Sequence, residues 1–200
     1  MTSRHLAIVI GLDLAKDSFR KIHLFDSESG CLTVLKRSSS KKSQTTAIDL
    51  FQNVEIIIDR KTEGQMGFVK EHSVLKTRDS IARNYRSFEF TSLFCRTVFV
   101  NAQHMPHPET VFDLVDNSLD AWATKPNPEA TFLKALYRLA SDDGFPVKQS
   151  WYQKLSPEDQ EHAHNVLTQP LETQSTQSAV AKRIAEDLKD WLSLHYDFRF

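Results

Sequence analysis

Near the start of the chain Leu6, Ile8, Ile10, Leu12 and Leu14 recur at every second position, the period of a strand with one face in a core. A second extended run, Phe19 to Phe25, follows at once and meets Asp26-Ser27-Glu28-Ser29-Gly30. Gly30 permits a positive φ without steric cost, and the Asp and Ser side chains bond their own backbone, so a tight turn is expected before Cys31 to Leu35 leads away again. The third strand ends in Lys36, Arg37, a serine tract, Lys41 and Lys42. A β-meander is thus expected to finish in a polar, cationic loop suited to phosphate.

Leu50 to Asp59 supplies a fourth strand with Val54, Ile56 and Ile58 on one face, Lys61-Thr62-Glu63-Gly64 reads as a turn, and Met66 to Lys76 forms a fifth extended segment. Five short strands in so little chain close into a barrel more economically than they form an open sheet, because closure removes exposed edges. The OB-fold is the five-stranded solution of that kind. From about Asp79 the spacing becomes helical. One helix is expected from Ser80 to Gln103, with Ile81, Tyr85, Phe88, Leu93 and Val100 on its faces, stopped by Met105-Pro106-His107-Pro108. Others are expected over Glu109–Ala123, Glu129–Ala140 behind an Asn127-Pro128 start, Ser156–Thr168 and Ala179–His195. The predicted class is α+β, an OB-fold-like domain over 1–78 followed by a helical bundle over 79–200.

Charge divides the same way. The chain carries 25 Lys and Arg against 26 Asp and Glu, yet the first hundred residues hold 16 against 11 and the second hundred 9 against 15. Two cysteines, far apart, give neither a disulfide framework nor a CxxC zinc pair, so a reducing cytoplasm is the expected compartment. Neither a cleavable leader nor a transmembrane run is read, and no membrane partner is expected.

The order of parts resembles the RecO family of recombinational repair proteins. HLFDSESGCLTVLKRSSSKK is similar to that family's second and third strands and basic loop, with Asp26 at a usual threonine. FLKALYRLASDDGFPVKQSW resembles its Phe-x-x-x-Leu helix and Gly-aromatic turn, and AEDLKDWLSLHYDFRF its last helix. The resemblance implies binding of single-stranded or junction DNA, strand annealing or recombinase loading, and docking of RecR and of the acidic tail of single-strand-binding protein on the helical domain. Two departures stand out. Gly144 to Gln160 contains no cysteine, so the zinc module of many members is not encoded there, and the helical half is acidic.

The expected DNA contacts are Arg20, Lys21, Lys36, Arg37, Lys41 and Lys42, each neutralised phosphate releasing counterions; solvated strand ends are the plainer reading of the same residues. Phe25, like Phe19, is placed to stack a base or to fill the barrel. Lys76, Arg78, Arg83 and Arg86 form a second basic group at the join. Lys134, Arg138 and Lys148 are the cations expected to receive a partner's acidic tail. His162 and His164 are two apart on a helix and point to different sides, so no metal site is expected there, and His104 with His107 offers none better. No GxxxxGK[ST], GxSxG or HExxH motif is present, and neither an enzyme nor a cofactor is expected. The rival reading is an OB-and-helix adaptor without DNA binding.

Overall fold

The computed structural model describes residues 1–14, 18–37, 47–62, 65–102 and 107–200. Five strands come first: β1 (Thr2–Leu12), β2 (Phe19–Asp26), β3 (Gly30–Arg37), β4 (Asn53–Asp59) and β5 (Gly67–Lys76). They form a mixed sheet in the order β1-β2-β3-β5-β4 that closes through β1 with β4. Every pairing is antiparallel except β3 with β5, a short parallel seam of Val34 with Gly67 and Leu35 with Phe68.

Two glycines make this path possible. Gly30 ends the β2–β3 turn at φ 70°, while Asp26 Oδ1 accepts the amides of Glu28 at 3.1 Å and Ser29 at 2.7 Å. At Gly67, a Cβ would stand 2.3 Å from Ile58 Cγ2, so only a residue without a side chain lets β5 enter beside β4.

Inside the ring Val9, Ile22, Leu24, Val34, Val54, Ile56 and Ile58 are fully or almost fully buried and pack with Ala7 and Ile48. This corrects the expected face of β1. Ala7 and Val9 belong to the inner cluster, whereas Leu6 is 51 % exposed and Leu14 lies beyond the strand. Ile8 and Ile10 are buried as well, outside that cluster. The strand is therefore apolar on both faces in its second half, and a register shift between Val9 and Gly11 breaks the simple alternation.

Six α-helices follow among the described residues: α1 (Asp79–Arg83), α2 (Tyr85–Asn101), α3 (Pro108–Thr124), α4 (Pro128–Asp142), α5 (Pro157–Thr168) and α6 (Ser178–Tyr196). The single helix expected from Ser80 is two. Asn84 interrupts it, and its Oδ1 accepts the Ser87 amide at 3.1 Å, as an N-cap side chain does. The buried face of α2 is Phe90, Thr91, Phe94, Cys95 and Val98, not the expected stripe, and Tyr85 is 74 % exposed. Asn127 Oδ1 caps α4 through the Ala130 amide, with Pro128 in the first turn, and Ser156 Oγ caps α5 through the Asp159 amide. A π-helical turn over Val147–Trp151 and a 3-10 turn over Tyr152–Lys154 link α4 to α5.

The chain forms two compact units. The first comprises Met1–Arg78 and Ala102–Asp113, the second Asp79–Asn101 and Leu114–Phe200. In the second, α4 is packed by α2, α5 and α6 and buries Phe132, Leu133, Leu136 and Leu139. No helix among the described residues is long and apolar enough to cross a membrane.

Candidate functional site

On the outer face of β2, β3 and β5 an aromatic pair sits among cations. Phe19 is opposite Arg37 and Lys21 opposite Leu35 in the β2–β3 ladder, while Leu35 is opposite Phe68 across the parallel seam. Directly paired residues share a face. The rings of Phe19 and Phe68 meet edge to face with centroids 5.7 Å apart. Phe68 is 39 % exposed, and Lys21 and Arg37 are exposed beside the pair. Apolar rings held open to solvent and flanked by cations are the combination that takes stacked bases and their phosphates.

The other expected DNA contacts separate from this group. Arg20 and Lys36 pair with each other and continue the inner row of Ile22 and Val34. Lys36 Nζ points to the His72 ring, 3.1 Å from Nε2, and burial lowers its pKa. Phe25 is 0 % exposed, so its ring offers no face to a base and serves packing instead. Lys41 and Lys42, with the rest of the Ser38–Thr46 tract, lie outside the described residues.

The second basic group is divided too. Arg78 is 5 % exposed, donating to Phe51 O at 2.8 Å and Asn53 Oδ1 at 2.6 Å, so it ties the first unit together. Arg86 is held by Glu129 and lies over the Phe90 ring. Lys76 and Arg83 of that group are exposed.

In the helical unit a cavity of about 410 Å³ is lined by Tyr137, Lys148, Tyr152, His164, Leu167 and Thr168, with no carboxylate among them. Lys148 reaches it from the π-helical turn. Lys134 and Arg138 are one turn apart on α4, on either side of Tyr137 in sequence. They are close enough for the Arg138 charge to add to burial in lowering the Lys134 pKa. Lys134 Nζ donates to Gln169 O at 2.9 Å, just past the end of α5. Burial, and then the neighbouring Tyr152, raise the Tyr137 phenol. The π-helical turn that delivers Lys148 and the 3-10 turn that delivers Tyr152 have no signal in periodicity, and Leu167 reads as an ordinary helix residue.

Phe68 and His72 were equally invisible as site residues. Each meets its partners only through the closing of the ring, and the alternation of Phe68, Val69 and Lys70 in a strand that begins at Gly67 is the one local hint.

Compared with the models of known protein families and with curated proteins, the chain matches none.

Proposed function

We propose that the first unit binds single-stranded nucleic acid across the outer face of β2, β3 and β5, as a RecO-like mediator of DNA repair would. The ring is read as an OB-fold, whose strand order and parallel β3–β5 seam it shares. The observation that carries the reading is the Phe19–Phe68 pair flanked by Lys21 and Arg37. Bases stack on the two rings and the cations follow the backbone; no bond is made or broken. The carboxylate-free cavity at Tyr137 and Lys148 would take an acidic, apolar peptide such as the tail of single-strand-binding protein, and RecR is the other partner that the resemblance implies.

The test is fluorescence anisotropy of labelled oligothymidine titrated with the full chain at low and moderate salt. Binding should weaken steeply with salt, and Phe68→Ala should cost about 1–3 kcal/mol, the range for one stacked base. Undetectable binding at low salt, or unchanged affinity in Phe68→Ala, sinks the reading.

A second reading keeps the fold and drops the nucleic acid. The excess of 15 acidic over 9 basic residues in the second hundred favours an adaptor that works through protein contacts alone. Intact binding of an acidic peptide at the Lys148 cavity without oligonucleotide binding would select it.

A further inference from the structure

We propose that a second groove of the helical unit docks a cationic, leucine-bearing peptide segment of a partner protein. The groove encloses about 350 Å³ between the C-terminal half of α6 and the turns leading into α5. Asp187, Asp190, Trp191, Leu194 and His195 follow the i, i+3, i+4, i+7, i+8 spacing and so share one helical face. Trp151 and Leu155 form the opposite wall.

Three features define the occupant. The first is charge. Arg183 neutralises Asp159 through two hydrogen bonds of 2.8 and 2.6 Å. Arg183 also acts on Asp187, and the lining of the groove includes Lys154, with His195 stacked on Trp191 at 5.3 Å. Asp187 Oδ1 already accepts the Trp151 indole N–H at 2.6 Å, whereas Asp190 takes no hydrogen bond or ion pair among the described residues. An arginine or lysine of the partner supplies the missing charge.

The second feature is apolar surface. Leu194 is 81 % exposed at the rim, and a leucine of the partner would cover it. The third is an unmet donor. Trp191 is 8 % exposed, and its Nε1–H is buried with no acceptor among the described residues. A peptide carbonyl entering the groove is the acceptor that such a donor calls for. Carboxylates, a leucine and a buried indole donor without an acceptor together select a basic peptide over the acidic one suited to the Lys148 cavity. Trp151 lines this groove and its ring lies 6.1 Å from that of Tyr137, which lines the Lys148 cavity.

The probes are two fluorescein-labelled peptides, one alternating leucine and arginine and one alternating leucine and glutamate, titrated into the full chain with anisotropy as the readout. The arginine peptide should bind and should lose tenfold or more in Asp190→Asn and in Leu194→Ser, both exposed positions whose substitution leaves the core intact. Lys148→Ala should leave it unchanged. The glutamate peptide should show the reverse dependence, or no binding. Equal loss in Asp142→Asn, an exposed carboxylate at the end of α4, would mean diffuse charge attraction and overturn the site. No binding of the arginine peptide, or unaltered affinity in Asp190→Asn and Leu194→Ser, overturns it as well. None of these outcomes depends on whether the first unit binds nucleic acid.

Discussion

The ammonium of Lys36 lies 3.1 Å from Nε2 of His72, drawn over the inner row of the ring, while Arg37, the next residue, stands exposed on the outer face. Two adjacent cations thus have different work. Each phosphate neutralised on a single strand adds about 0.7 to the slope of log affinity against log salt. Arg37→Ala should therefore lower the slope measured with oligothymidine by about 0.7. Lys36→Ala should leave it within error, and an equal fall in both variants contradicts this division.

Above neutral pH two half-buried groups pull stability in opposite directions. Burial raises the Cys31 thiol from 9.0 to about 12, so the folded chain keeps a proton that the unfolded chain releases. Its contribution is whole below pH 9 and is lost as pH rises toward 12. Lys36 is lowered by burial, so the unfolded chain holds its proton longer and stability rises with pH between the folded and unfolded values. Urea unfolding at pH 7 and pH 10 should show Cys31→Ala losing less stability on alkalinisation than the parent, and Lys36→Met losing more. The opposite order in either variant refutes the assignment.

Gly67→Ala would bring a methyl group to 2.3 Å from Ile58 Cγ2 at the point where β5 joins β3. Such overpacking costs about 1–3 kcal/mol. Chemical denaturation reads the loss, and a neutral result would mean that β5 shifts to make room. Gly144→Ala meets nothing within 4 Å, although its φ of 88° strains any side chain, and offers a comparison in which the loss is conformational.

Glu129 is buried to 3 % exposure and is met by Arg86 through Nε at 2.9 Å and through Nη2. Removing the guanidinium leaves a buried carboxylate short of donors. Arg86→Ala should cost about 2 kcal/mol, whereas Glu89→Ala, which cuts only the exposed pair at 3.8 Å, should cost less than about 1 kcal/mol. Thermal unfolding of the two variants decides it.

Local chemistry made much of this architecture readable from residues alone. The Asp26–Gly30 turn, the Asn127-Pro128 and Ser156-Pro157 helix starts, and the Val54–Ile58 alternation each depend on neighbours within a few positions. What escaped notice depends on distant pairing. Leu6 and Ile8 share a strand parity, yet one is half exposed and the other fully buried, because the outer face of β1 is covered only along part of its length. The break at Asn84 was hidden by apolar residues continuing on both sides of it. At the candidate site, Lys21, Arg37 and Phe19 were found from the cationic meander, but the ring that completes them, Phe68, arrives through a seam between residues far apart in the chain. Phe25 shows the converse: adjacency to cations in sequence does not expose a side chain when its strand is packed on both faces.

The return of Ala102–Asp113 to the first unit makes that unit discontinuous in sequence. A fragment ending at Arg78 carries all five strands yet lacks part of their natural surroundings, including Pro108, whose Cβ lies within 3.8 Å of the space above Gly30. The strand-bearing unit is therefore not one continuous stretch of the chain, and a truncation at Arg78 removes part of it.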